Sequence, residues 1–433
     1  MTDPLPPDGT PAGDYEAFAR RLIEAEVITD PWLDGAPRFG LAPEVISAAF
    51  ARSLLRAGER LAAAYNELCL LVDDEPALLD SFFGLSPVQK LMWQASAPLW
   101  HGVARADLFV TDEGLVTTEL NSDTPTGEAE AVELGRILGP QHPHMRDPNV
   151  DLPRRFVAMA EALTTRWVGP EAPRVAAIVY PTEFTEDLSL VRLYRGWLEA
   201  AGWEVVLGSP YNLGRDGDQG PATVFDTPVS LLVRHYKTDW WGEREGVFTD
   251  DTVLDTEPLL EPLRAALGAF VDRRTAIVNP FGAVVPQNKR AMAFMWEHLH
   301  RFTADAQATI RDLVPHTRRL ESVHEAQLLA QRPLWVLKSD YGAEGDEVIL
   351  GRDVTDAEWQ RCLDHARPGR WIAQRYFEAR RDPQGEVINW GVYLVAGEGA
   401  GIYARRSAGA TDDTARSVVT LVDDRPGKRL RVP

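Results

Sequence analysis

Apolar residues recur at helical spacing between residues 15 and 100, through Phe50, Leu54, Leu55, Leu61 and Leu68 to Leu71. Ala-rich stretches with few breakers surround them, so this stretch predicts a helical N-terminal region. At residue 103 the period changes. Residues 103–110 and 115–120 predict two strands joined by a turn at Asp112-Glu113-Gly114. A helix follows, with Glu128, Glu130 and Glu133 near its start, where the helix dipole favours acids. From 173 to about 278, strands at 175–180, 203–207, 229–235 and 275–278 alternate with helices at 188–201 and 257–267. That order implies a βαβ layer with a parallel sheet. Residues 212–223, rich in Gly, Asp and Pro, read as a surface loop, and 287–313 are helical again. The last third, from Trp335, is strand-dominated with one helix near 356–365.

These elements divide the chain into a disordered leader (1–14), the helical region (15–100), a short core segment (101–150), the βαβ layer (151–285) and the strand-rich remainder (286–433). Residues 139–151 and 314–334 look like linkers. A length of 433 residues suits two or three structural units. With 45% hydrophobic and 25% charged residues, the composition is that of a globular protein. The net charge of −20, with no basic run, argues against nucleic acid as a partner. Cys69 and Cys362 are the only cysteines, which excludes a disulfide framework and a multi-cysteine metal site. No apolar run reaches the ~18 residues of a membrane span, and residues 1–14 do not form a signal peptide. The sequence therefore reads as cytoplasmic, with no membrane partner.

Four clusters carry candidate chemistry. Lys338 ends an apolar strand and precedes the turn 339–346, which contains Gly342 and Gly345; an ammonium beside a glycine loop suits phosphate, and a plain hairpin explains the same residues. Arg105-x-Asp107, then eleven residues, then Glu119-x-Asn121-x-Asp123 forms the second. Residues two apart on a strand share a face, so a hairpin brings three oxygen-bearing side chains and a guanidinium together. Such oxygens suit Mg²⁺, and the guanidinium suits a transferring phosphoryl group. An exposed polar sheet face is the plain alternative. Asn288-Lys289 opens an amphipathic helix, and the tail strands contain Gln374, Tyr376, Phe377 and Arg405. A strand edge at 373–377 would offer backbone groups to an adenine, although a packed sheet fits equally well.

Taken together and in order, these residues resemble the glutathionylspermidine synthetase family of ATP-grasp ligases, and more broadly the circularly permuted ATP-grasp proteins. The resemblance runs from near Pro98 to the C terminus and includes Arg234-x-Tyr236, Trp240, Trp296 and Tyr341-Gly342-x-Glu344-Gly345. It implies an α/β (α+β) ATP-grasp-type fold, permuted because Glu119-x-Asn121 precedes Lys338, with a parallel-sheet pre-ATP-grasp-like domain. By the same resemblance, Asp107, Glu119 and Asn121 are ligands of two Mg²⁺ ions on ATP, and Arg105 and Arg405 are catalytic cations at the γ-phosphate and the reacting carboxylate. Lys289 and Lys338 hold the nucleotide phosphates, Gly342, Glu344 and Gly345 form the lid, and Gln374, Tyr376 and Phe377 lie at the adenine.

The implied activity is amide formation between a small carboxylate and an amine through an acyl-phosphate, with release of ADP and phosphate. The resemblance also admits a homodimer. Two alternatives stand beside it: a nucleotide-binding protein without ligase activity, and a hydrolase using Asp107 and Glu119. The family strand often continues Arg-Glu where this chain has Arg405-Arg406, and the first hundred residues match nothing in the family pattern. Asp107→Ala or Lys338→Ala is expected to abolish turnover and leave the fold intact.

Overall fold

The change of period at residue 103 produces an antiparallel hairpin of Val103–Val110 and Leu115–Asn121, with Arg105 opposite Asn121 and Asp107 opposite Glu119. A computed structural model of the chain describes residues 12–33, 35–182, 187–243, 257–342, 348–367, 369–409 and 415–425. The hairpin forms one end of a six-stranded sheet. Beyond it, in spatial order, come Val387–Val395, Glu398–Ser407, Arg416–Asp423 and Phe39–Ser47. Ala104, Ala106, Leu108, Val392, Leu394 and Ile402 are buried in one core with Leu54, Leu61 and Leu68 of the helix Ala48–Asp74. That helix starts where the Ser47 hydroxyl accepts from Phe50 N at 3.1 Å. The opposite face of the sheet carries Arg105, Asp107, Asn389 and Arg405.

The βαβ reading holds strand for strand. Ala276–Val278, Leu231–Arg234, Val175–Val179 and Glu204–Gly208 form one parallel sheet in that spatial order. Asn279, just after its last strand, clamps this layer to the open end of the hairpin. Its Oδ1 accepts from Gly102 N (2.6 Å) and Val103 N (2.9 Å). Its Nδ2 donates to the carbonyls of Val103, Ser122 and Asp123 at 2.8–3.0 Å. A third, antiparallel sheet orders Thr317–Arg319, Trp371–Arg375, Trp335–Ser339 and Val348–Leu350, with Trp359 and Leu363 of the helix Asp356–Ala366 in its core.

Three expectations are corrected. Residues 39–47 are a strand within the stretch read as helical, parallel to Arg416–Asp423; Pro43 at this sheet edge is incompatible with a helix interior. The first hundred residues thus share the central sheet rather than stand apart from it. Residues 212–223 are not simply a loop, because Ala222–Val224 is the central strand of a small antiparallel sheet, paired with Leu213–Arg215 on one side and Thr227–Val229 on the other. Neither supposed linker is bare: 314–334 contains the strand Thr317–Arg319 and the helix Glu325–Ala330, and Arg146 exchanges two backbone hydrogen bonds with Val422. Among the described residues, no helix is long and apolar enough to cross a membrane.

Replacing Asn279 with Ala strands buried N–H and C=O groups of Gly102, Val103, Ser122 and Asp123 at the end of the hairpin, each costing on the order of 1–3 kcal/mol. Urea unfolding of Asn279→Ala is expected to show a loss of at least ~3 kcal/mol; a midpoint equal to wild type rejects the clamp.

Candidate active site

Strand alternation places Arg105 and Asp107 on one face, and Gly391 pairs with Asp107 in the neighbouring strand. A Cβ at Gly391 would lie 2.9 Å from Arg105 Cδ, so glycine leaves room for the arginine to lie along the sheet. Arg105 grips Asp107 with two bonds, Nε to Oδ1 at 2.7 Å and Nη2 to Oδ2 at 3.0 Å, and donates to Thr126 O at 2.7 Å. From two strands away, Arg405 Nη2 reaches Asp107 Oδ2 at 3.1 Å. Burial alone would raise the Asp107 carboxyl; Arg105 and Arg405, with an Asn389 hydrogen bond, hold it below the usual carboxylate range.

At the outer edge of the sheet, Asn121 Nδ2 donates to Glu119 Oε1 at 3.4 Å. Lys289 Nζ approaches Glu119 Oε2 to 3.7 Å and donates to Gly342 O, at the start of the predicted lid. Its backbone N–H also binds Asp340 O at 2.8 Å. Lys338 Nζ crosses from the third sheet to Thr118 O at 3.3 Å. Burial lowers the Lys338 ammonium to about 8, Glu119 opposing and Lys289 assisting. Two ammonium groups therefore face one part-exposed carboxylate across the gap between two sheets. Two cations against one carboxylate leave a positive excess, and that donor set fits the phosphates of ATP.

The adenine edge is only partly as expected. Gln374 lies in an inner strand, paired with Thr317 on one side and Val336 on the other, so 373–375 is no free edge. Its buried amide donates to Thr317 Oγ1 at 3.0 Å. The ladder ends at Arg375; Tyr376 N still bonds Leu334 O, and the Phe377 ring lies 5.8 Å from that of Phe109 at the hairpin. Glu344 and Gly345 lie outside the described residues.

Residues 82–423 match the family described as glutathionylspermidine synthase preATP-grasp. The chain belongs to that family. Membership supports an ATP-dependent ligase of the ATP-grasp type in general terms. Among solved structures, a glutathione synthetase-like effector from Globodera pallida, in its apo form, is 10% identical with a TM-score of 0.57, covering 94% of this chain and 96% of its own. A candidate gamma-glutamylcysteine synthetase from Methylobacillus flagellatus is 15% identical with a TM-score of 0.46, covering 86% of each chain. A RimK-domain ATP-grasp protein from Sphaerobacter thermophilus is 17% identical with a TM-score of 0.30, covering 57% of this chain and 90% of its own. No curated protein matches the chain.

The family match starts after the strand Phe39–Ser47 and the helix Ala48–Asp74, which complete the sheet carrying its motifs. Within it, two motif pieces meet: Arg234 Nη2 binds Asp123 Oδ1 at 2.5 Å, and Asp123 Oδ2 accepts from both Thr238 N and its hydroxyl. Sequence reasoning missed Asn389 and Gln287. Asn389 is a lone amide in an otherwise apolar, fully buried strand, and that break in pattern was its signal. Gln287 Oε1 accepts from Ser122 N and Asp123 N, fixing the chain after the hairpin, and no spacing advertised it. Trp241 is fully buried core, whereas Trp240 is partly exposed under the Lys237 ammonium.

Among the described residues, no group of three or more His, Cys, Asp or Glu side chains stands ready for a metal. Glu119 and Asn121 fit a hard cation that keeps several waters. Asp107 fits less well, since two guanidiniums already engage its oxygens. Removing Asp107 also leaves Arg105 buried without its partner, a loss of about 3–5 kcal/mol, so the expectation that Asp107→Ala spares the fold is not supported.

With its ammonium near 8, Lys338 is half deprotonated at about pH 8. The apparent Kd for ATP is expected to rise above that pH by up to about tenfold per unit. In the nucleotide-free protein, stability rises over the same range, because the unfolded chain keeps a proton that the folded chain has lost. Lys338→Met is expected to weaken ATP about 10–100-fold and to flatten the pH profile. Calorimetric titration between pH 7 and 9.5 checks this, and a flat wild-type profile rejects it.

Proposed function

We propose that this family member is an ATP-dependent carboxylate–amine ligase working through an acyl-phosphate. The observation that carries the proposal is the approach of Lys289 to Glu119 across the gap between two sheets, which sets phosphate-binding cations beside metal-binding oxygens. In this reading Lys289 and Lys338 hold the nucleotide phosphates, and the segment beginning at Gly342, with Glu344 and Gly345, closes over them. In this reading the chain at Tyr376 and Phe377, beyond the Gln374 strand, lies against the adenine. Glu119 and Asn121, with Asp107 if it exchanges an arginine, hold Mg²⁺. The bound metal supplies charge neutralisation on the phosphates.

The chain's own contribution is charge and position. A carboxylate is a poor acyl donor because its leaving group would be oxide. Transfer of the γ-phosphoryl to that carboxylate gives a mixed anhydride with phosphate as leaving group. Arg105 and Arg405 neutralise the negative charge that gathers as the phosphoryl moves. The amine then attacks the acyl carbon, phosphate departs, and the amine loses a proton. No protein nucleophile is required. The acyl donor is a peptide such as glutathione or an amino acid, and the acceptor a polyamine or an amino acid. A nucleotide-binding protein without ligase activity is favoured by one observation, the saturation of Asp107 by two guanidiniums.

Mass spectrometry of the purified protein with MgATP and pooled carboxylates and amines separates the two. The ligase gives ADP, phosphate and a new mass equal to acid plus amine minus water. AMP and pyrophosphate would refute the acyl-phosphate route, and tight MgATP binding without turnover would favour the second reading. Arg405→Met is expected to lower kcat by about 10²–10³-fold while MgATP still binds. An unchanged kcat would remove Arg405 from the site.

A further inference from the structure

On the other face of the central sheet, where the helix Ala48–Asp74 packs, a groove of about 650 Å³ runs between that helix, the helix Ala304–Leu313 and the hairpin turn at Gly114 and Leu115. Arg52, Arg56 and Arg60 line it at i, i+4 and i+8 of the long helix, and Arg311 faces them from the second. Successive guanidiniums therefore leave the helix about 6 Å apart along its axis. Arg60 is fixed by Asp312, Nη2 to Oδ2 at 2.6 Å, and by Thr309 Oγ1 at 3.3 Å. Arg52 and Arg56 are exposed and have no carboxylate within ion-pair distance among the described residues. Glu113 and Asp312 are the acids of the groove, so its four arginines leave two positive charges in excess.

The chain as a whole holds 65 acids against 45 basic residues. Acids are plentiful, yet neighbouring arginines are kept unpaired in one concavity. Like charges so placed repel each other, and a bound polyanion relieves that repulsion. The guanidinium fork matches phosphate oxygens in pairs. The volume admits a small molecule rather than a chain.

We propose that this groove binds a small molecule carrying at least two phosphate groups, at a site separate from the nucleotide lysines. The groove meets the hairpin at its turn, whereas Lys289 and Lys338 meet the same hairpin at Glu119 and Thr118. An occupant therefore presses on the element that carries Glu119 and is placed to act as an effector.

The test is calorimetric titration of the full chain with inorganic tripolyphosphate, in wild type and in a Lys289→Met/Lys338→Met background that removes the nucleotide phosphate site. Saturable one-to-one binding is expected to persist in that background and to weaken at least ~10-fold when Arg52→Gln/Arg56→Gln is added. Both arginines are exposed, and an unchanged melting curve verifies the fold of that variant. Equal affinity in the arginine variant, loss of binding in the lysine background alone, or no saturable binding in the millimolar range overturns the proposal. Binding of citrate without tripolyphosphate overturns the phosphate class.

Discussion

The polar face of the central sheet depends on keeping one carboxylate ionised inside it. Asp107 is 1% exposed, and burial by itself would push it towards the neutral acid. Its charge survives because three strands each deliver a group to it: Arg105 from its own strand, Asn389 from the next, and Arg405 from the one beyond. That convergence fixes register, since a slip of one residue would turn Arg105 or Arg405 to the helix-covered face. It also explains Gly391, whose missing side chain gives Arg105 the space to reach along the sheet. A single charge-compensation problem thus dictates residues separated by nearly three hundred positions.

Across the gap the balance runs the other way. Lys338 and Lys289 lie close enough for one to depress the other, with Glu119 as their shared but part-exposed counter-charge. Cations held in this state gain from any anion that enters, whereas Asp107 is already satisfied. The two sides therefore differ in kind: the carboxylate at Asp107 is already neutralised, and the ammonium groups at Lys289 and Lys338 keep a positive excess. Lys289 joins the two by binding the backbone at both Asp340 and Gly342, so any anion drawn to its ammonium also bears on the chain at Gly342.

Much of this was legible from strand periodicity. That Arg105, Asp107, Glu119 and Asn121 share one hairpin follows from a two-residue repeat on either side of a tight turn, and the parallel layer follows from alternating strands and helices. The exact pairing depends on a one-residue register shift beside Asp107, which the repeat does not mark. What stayed hidden was set by contacts distant in sequence. Residues 39–47 join a strand near the other end of the chain, and a single edge strand leaves little local signal. Gln374 was placed at an edge because its neighbours on both sides, Thr317 and Val336, come from segments that read as a linker and as a different hairpin. Asn279 and Gln287 act through side-chain amides on backbone groups, and no spacing rule marks such clamps.

The same distant pairing settles the role of Arg406, where the family pattern often has an acid. Alternation along the strand turns it away from Arg405. It meets Glu44 of the strand Phe39–Ser47, Asp382 at 2.6 Å and Glu386 at 3.4 Å, while Arg416 takes the other oxygen of Glu386 at 2.5 Å. Arg406 therefore ties the N-terminal strand to the C-terminal ones and does not touch the site of Asp107. Since Arg416–Asp423 lies between Phe39–Ser47 and the rest of the sheet, the two ends of the chain interlock. In a permuted fold whose motif hairpin comes early and whose sheet partners come last, the sheet cannot close until both ends have arrived. The departure at Arg406 is thus a fastening for that closure.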